Sequence, residues 1–199
     1  MHTVLVVANP QRAEQALQAG EIPCPGCRGA LRPFGHARTR TVRGVGAERL
    51  TVTPRRARGA DCAATHVLLP GALSVRRADS TEAIGTALLA KACAAGHRSI
   101  AAHLHRPVST VRRWLRGARG EHAEWLDQRG VQRAARLNRA LLATRLHPFK
   151  STLWHALNIL AGLARHSREH LGVTDPPWSL ICLYAESRLL APPAAPSTA

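Results

Sequence analysis

The sequence predicts a mainly α protein, in which a small zinc-ribbon-like β unit is followed by a helix-turn-helix and a C-terminal helical bundle. Three observations carry this expectation. Cys24-Pro25-Gly26-Cys27 opens a stretch rich in Thr, Val and Arg, a composition that suits short strands around a metal knuckle. Residues 92–119 contain repeated helix starts and stops at close intervals. Beyond residue 120, apolar side chains recur at helical spacing over three segments.

The first unit is residues 1–20. Thr3 to Val7 reads as a short strand. Asn9 is placed to cap a helix that has Pro10 at its first position, runs through Ala13 and Leu17, and stops at Gly20. The second unit is residues 21–72. Two thiolates separated by two residues, with Pro and Gly bending the backbone between them, form the knuckle that holds tetrahedral zinc. Cys24 and Cys27 are therefore the first metal-ligand candidates. Downstream, Asp61-Cys62-Ala63-Ala64-Thr65-His66 offers Cys62 as a third ligand. His66 is the candidate for the fourth by its spacing, with His36 as the alternative. Arg49-Leu50-Thr51-Val52-Thr53 suits a strand, and Val67-Leu68-Leu69-Pro70 closes the unit.

Residues 79–119 carry the helix-turn-helix. Arg76 and Arg77 lie in the linker, and Asp79 and Glu82 have capping-box spacing, so the first helix starts near Ser80. Ile84, Leu88 and Ala92 form its buried stripe, and Cys93 among alanines reads as core. Gly96 marks its stop. Ser99 is the cap predicted for a second helix bearing Ile100, Ala101 and Leu104. His105-Arg106-Pro107 breaks that helix. Ser109 is the cap predicted for a third, with Val111, Trp114, Leu115 and Ala118 at helical spacing. With Val111 and Leu115 inward, Ser109, Thr110, Arg112, Arg113 and Arg116 face outward. In a helix-turn-helix this helix enters the major groove, where arginine forks onto guanine or holds phosphate. Arg98 joins this DNA-binding set. Arg38, Arg40, Arg43, Arg55, Arg56 and Arg58 sit on strands or loops, which suits phosphate contact; Arg55 and Arg56 are the chosen anchors.

Residues 120–190 should form the C-terminal helices. The first runs from about Glu121 to Leu146, with Trp125, Ala134, Leu137 and Leu141 on one face and a break allowed at Gly130. The second runs from about Ser151 to His170, with Leu153, Leu157, Leu160 and Ala164 as its seam and a stop at Gly172. Asp175-Pro176 starts the third, carrying Trp178, Ile181, Cys182 and Leu189. These helices either bury the back of the helix-turn-helix or present a surface for a homodimer. Residues 191–199 form a Pro/Ala tail expected to be disordered.

Charge narrows the partners. The net charge is +16 and the pI about 11.6, which favours a polyanion and above all duplex DNA. Lysine occurs only as Lys91 and Lys150, so arginine dominates, and its planar fork suits phosphate and guanine. GC-rich coding accounts for arginine over lysine but not for the scarcity of acids. Val4 to Ala8 is too short for a signal peptide, and no apolar run approaches the ~20 residues of a membrane span. A cytoplasmic location is expected, where Cys-x-x-Cys points to metal or redox chemistry rather than to a disulfide. An enzyme is not expected. Glu121, Glu124, Asp127, Glu169, Asp175 and Glu186 fall in predicted helices or at caps, and about 80 residues is too short for a separate α/β nuclease domain.

The succession CPGC, LRPFGHARTRTVR, CAATHVLLP and RRADSTEAIGTALLAKACAAGHRSIAAHLHRPVSTVRRWLR resembles a family of uncharacterised bacterial proteins. That family joins a zinc-ribbon-like segment to a transposase-like helix-turn-helix. The resemblance spans roughly Ala19 to Arg119. A similar arrangement recurs at the start of insertion-sequence transposases. It implies the fold, DNA binding and two Cys-x-x-Cys pairs; the residues themselves read as a regulator or the targeting piece of a mobile element, with a non-catalytic transposase-derived accessory subunit or a zinc-ribbon RNA-binding or protein-docking module as alternatives. Cys24, Cys27 and Cys62 match those pairs, whereas Gly59 stands in the place of the remaining cysteine.

Overall fold

The computed structural model describes residues 3–145 and 150–191. Among the described residues the fold is mixed rather than mainly α: it is 48% helical, with seven α helices, and 19% strand. The excess of strand over expectation comes from pairing between distant segments, which local periodicity does not register.

Strand β1 (Thr3–Val7) leads to helix α1 (Pro10–Ala19). The Asn9 side chain accepts from the Arg12 amide at 2.9 Å, and Gly20 ends the helix at φ 73°. Then come β2 (Leu31–His36), β3 (Arg40–Arg43), β4 (Arg49–Val52), β5 (Arg55–Gly59) and β6 (Thr65–Pro70). Four of these strands form one sheet in the order β1-β6-β5-β2, with β1 parallel to β6 and the other pairs antiparallel. Residues 3–20, set apart from 21–72 on sequence grounds, are thus part of the same sheet unit. Alternation along β5 and β6 sends Ala57 and Leu68 to one face. There they pack with Leu17, Cys24 and Leu31 under α1. On the opposite face, Leu69 meets Val42 and Leu73, with Leu50 and Val52 of the β3–β4 hairpin beside them.

Helix α2 (Thr81–Ala92) starts where expected, but its cap is Ser80, which accepts from the Ala83 amide at 3.1 Å. Asp79 is engaged elsewhere, as described below. Helices α3 (His97–His103) and α4 (Val108–Arg116) each begin earlier than expected. Gly96, taken for a stop, is the N-cap of α3, and Ser99 lies inside that helix. Pro107 is the N-cap of α4, leaving Ser109 within its first turn. The fixed φ of proline already suits a helix start, so Ser109 is not needed as a cap, and extended Gly96 takes the cap position ahead of Ser99. The turn between them places the non-glycine His105 at φ 50°, a left-handed conformation that L side chains adopt at a cost. Ile100, Ala101, Leu104, Val111 and Trp114 are buried, whereas Leu115 is only half-buried. Trp114, rather than Leu115, is therefore the main inward anchor of α4. Cys93 is exposed, not core, because α2 ends at this residue.

Helix α5 (Glu121–Leu137) runs without a break through Gly130. That glycine is a packing site: a Cβ there would lie 2.3 Å from the Ile159 Cγ2 of the neighbouring helix. Asn138 is extended and a 3-10 turn (Arg139–Arg145) follows, so the helix expected to reach Leu146 ends earlier. Helix α6 (Thr152–His170) spans the range read from the sequence, and the Ser151 side chain caps it. Its seam residues Leu153, Leu157, Leu160 and Ala164 are buried within the chain itself, in the core shared by α2 to α7. Helix α7 (Pro177–Tyr184) carries Trp178, Ile181 and Cys182, while Leu189 is buried beyond its end. The expected disordered tail, apart from Ala191, lies outside the described residues. No helix among the described residues is long and apolar enough to cross a membrane.

Candidate functional site

The first constellation is a cluster of thiols. Cys24 and Cys27 lie on the turn between α1 and β2, and Cys62 lies on the turn between β5 and β6. The antiparallel pairing of β2 with β5 brings these turns together, with Leu31 opposite Gly59. The three sulfurs lie within 4.8 Å of one another. The Cys24 and Cys62 sulfurs are 3.6 Å apart. A tetrahedral zinc with Zn–S bonds of about 2.3 Å sets its sulfurs about 3.8 Å apart, so the spacing accepts such an ion without large movement. None of the five cysteines is in a disulfide.

Electrostatics at the cluster favour a thiolate at its buried corner. The Cys27 and Gly26 amides lower the Cys24 thiol to about 6, against the opposing effect of burial. At Cys62 the Ala64 amide pulls the thiol down, but the Cys27 and Cys24 thiols outweigh it and the net shift is upward. The knuckle backbone is held by the Cys24 amide donating to the Gly29 carbonyl and the Arg28 amide donating to the Cys24 carbonyl. Arg28 sits at φ 69°, a position where glycine would be unstrained.

His66 is not a member of this group. It is buried on β6, and its Nε2 lies 3.4 Å from the Cys24 sulfur. Its pairing opposite Ala57 puts it on the same face of the sheet as Cys24, within hydrogen-bonding reach of that sulfur but not within 4.8 Å of all three. His36 is exposed on β2 and is also outside the group. Gly59 does lie at the cluster: a Cβ there would be 2.8 Å from the Cys62 sulfur and 3.1 Å from that of Cys24. The β5 backbone therefore closes over the thiols on that side.

The second constellation is basic. On α4, Ser109, Arg112, Arg113 and Arg116 are exposed on the face opposite Val111 and Trp114, while Thr110 is half-buried. Arg112 hydrogen-bonds the His97 Nε2 at 3.0 Å. Arg98 is exposed on α3. Beside α4 runs a groove of about 1320 Å³, walled by the end of α2 and the starts of α5 and α6. Lys91, Arg112, Arg116, Arg119 and Lys150 line it, and no carboxylate does so among the described residues. Both lysines of the chain are in this wall.

The strand arginines divide into two classes. Arg55 pairs with Glu14 at 2.9 Å, Arg43 with Asp79 at 2.8 Å, and Arg40 donates to the Arg77 carbonyl at 3.0 Å. These three hold the fold, so Arg55 is not an uncommitted anchor. Arg56 and Arg58 instead lie over the Phe34 ring.

Sequence reading missed the residue that ties the α3–α4 turn to the β3–β4 hairpin. Arg106, in the α3–α4 turn, is buried and pairs with Asp79 at 2.8 Å. Its guanidinium also donates to the carbonyls of Gly44, Gly46, Leu104 and His105. Asp79 thereby clamps the α3–α4 turn to the β3–β4 hairpin through Arg106 and Arg43. The available signal was an arginine before proline in a helix-breaking turn, a position where solvent exposure is the ordinary expectation. No family model, curated protein or solved structure matches the chain.

Proposed function

We propose that the chain binds duplex DNA, with α2 to α4 acting as a helix-turn-helix and α4 entering the major groove. The observation that carries this reading is the uncompensated face of α4. Ser109, Arg112, Arg113 and Arg116 are presented together, beside a groove lined by five cations and no carboxylate among the described residues. Arg113 is assigned to base edges, Arg112 and Arg116 to bases or phosphates, and Arg119 and Lys150 to phosphates. The protein is read as a non-catalytic regulator or as the targeting piece of a mobile element, in keeping with the family resemblance of residues 19–119.

The thiol cluster is assigned to zinc held by Cys24, Cys27 and Cys62, with His66 beside the Cys24 sulfur. The ion's work there is structural. It ties the α1–β2 and β5–β6 turns together, and so steadies the sheet on which the β3–β4 hairpin and the Arg106 clamp rest. His66 supports the Cys24 thiolate by hydrogen bonding.

Selection of bound sequences from random duplex DNA tests this reading. A recurrent motif, lost in Arg113→Ala, is the expected result. Recovery of no motif, together with binding that is insensitive to salt, would overturn it.

A further inference from the structure

We infer that the outer face of the four-stranded sheet is a second binding surface, one that stacks an unpaired nucleobase of a single-stranded nucleic acid on Phe34. The two faces of β5 have different tasks. Ala57 and Gly59 are buried toward α1 and the thiol cluster, whereas Arg56 and Arg58 alternate to the other side. In register, Arg58 stands opposite Arg32 on β2, which also carries Phe34 on this side. The β3–β4 hairpin covers the sheet only at the Leu69 end, so the Phe34 end is open.

Phe34 is 43% exposed, among the most exposed large apolar side chains described. The guanidinium carbons of Arg56 and Arg58 lie 5.5 and 5.4 Å from its ring centroid. None of Arg32, Arg56 and Arg58 has an ion-pair partner among the described residues. Two like charges held over one exposed aromatic ring repel each other until an anion arrives, and Arg32, whose guanidinium lies against Gly20, adds a third cation on the paired strand. A free phosphate would satisfy the charge but leave the ring uncovered, and an acidic peptide would present no flat face to it. An unpaired nucleotide supplies both: its base stacks on the ring and on a planar guanidinium, and its phosphates neutralise the remaining arginines. A paired base has its faces covered by neighbours and cannot do this. The surface is built on rigid strands, and Gly35 at φ 71° together with the register shift between Pro33 and His36 turns the β2 edge at the ring.

The surface is separate from α4, so it goes beyond the duplex reading and fails independently of it. The test uses the full-length protein and three labelled oligomers of about ten nucleotides: oligothymidylate, oligouridylate and an abasic deoxyribose-phosphate chain. Binding to a thymidylate or uridylate strand should exceed binding to the abasic chain by roughly tenfold or more. Phe34→Leu should abolish that difference, Phe34→Trp should keep it, and binding to selected duplex DNA should not change in either. The ratio of the thymidylate and uridylate arms identifies whether the strand is DNA or RNA. Thermal melting of both variants controls for folding; a melting temperature near wild type is expected because the ring is exposed. Equal binding of abasic and base-bearing strands by the wild type overturns the inference, as does a Phe34→Leu variant that keeps the difference. Arg113→Ala separates the two readings. If it weakens duplex binding and leaves the thymidylate affinity intact, there are two surfaces. If it weakens both alike, single strands bind through α4 and the sheet surface is refuted.

Discussion

Replacing Asp79 with alanine should be the most damaging single change in the chain outside its apolar core. The carboxylate is buried, and its two oxygens are divided between Arg106 and Arg43. The Asp79 and Arg106 side chains are each 4% exposed. Desolvating such a pair is expensive, so its net worth against an apolar pair of similar volume is small, whereas removing one partner strands a buried charge and costs about 3–5 kcal/mol. Four backbone carbonyls still receive the Arg106 guanidinium after the substitution, which places the expected loss near the lower end, at about 3 kcal/mol. For a domain of this size, 1 kcal/mol corresponds to about 2–4 °C, so Tm should fall by about 6–12 °C. The assay is reversible thermal unfolding followed by far-UV circular dichroism, run beside Asp79→Leu combined with Arg106→Met. The double variant should recover part of the loss, because it leaves no buried unpaired charge, although Arg43, which is 39% exposed, loses its partner and the carbonyls served by Arg106 lose their donor. A single variant that melts within about 2 °C of wild type, or a double variant that melts lower than the single, would show that the clamp does not hold the α3–α4 turn as described.

Further expectations follow from the same geometry. Arg113→Ala should cost roughly 1–3 kcal/mol on a selected DNA site and blur sequence preference, while Lys150→Ala with Arg119→Ala should weaken all duplexes alike and shallow the log-log salt slope by about 0.9 per phosphate lost; a competition assay between selected and scrambled DNA distinguishes them. Purified protein should carry about one equivalent of zinc, and chelation should loosen the sheet unit while sparing the C-terminal helices, as read by metal analysis and amide exchange. In metal-free protein, the Cys24 thiol at about 6 lies below its ordinary value of 9.0. Folding therefore favours its thiolate, and the contribution is fully present above pH 9 and lost as pH falls through about 6. Urea melts across that window should show this slope, and Cys24→Ser should remove it. Burial lowers the His122 pKa below 6.5, so protonation opposes folding; stability should decline as pH falls through 6.5, and His122→Gln should flatten that decline.

Local signals were read well where the physics is local. The Asn9 cap and the Gly20 stop each depend on a side chain or φ preference within one turn. Cys24 and Cys27 were legible because knuckle spacing is itself a local geometry, whereas Cys62, 38 residues from Cys24, was a candidate only because a zinc ribbon needs a second knuckle. Ser99 and Ser109 misled because a capping side chain is only one way to begin a helix, and Gly96 and Pro107 provide another through backbone conformation. His66 was chosen on spacing, and the sheet register brings its ring to the Cys24 sulfur without bringing it as close to all three. The parallel β1–β6 pairing and the Asp79–Arg106 clamp were not legible at all. Both join segments far apart in the chain, and a charged residue beside a turn carries no mark that it will be buried. The same holds for Gly130, whose reason is a methyl group on another helix.

The placement of β1 has a consequence for how the chain withstands shortening. It is an edge strand, and its removal would leave β6 as the new edge. β6 would then present Val67-Leu68-Leu69 with unpaired backbone groups and no charged side chain within the run. Such an edge recruits a second copy of itself. A variant beginning after residue 8 is therefore expected to aggregate rather than merely lose stability. During synthesis, too, β6 must find a strand made long before it, so the sheet stays incomplete until residue 70 has emerged.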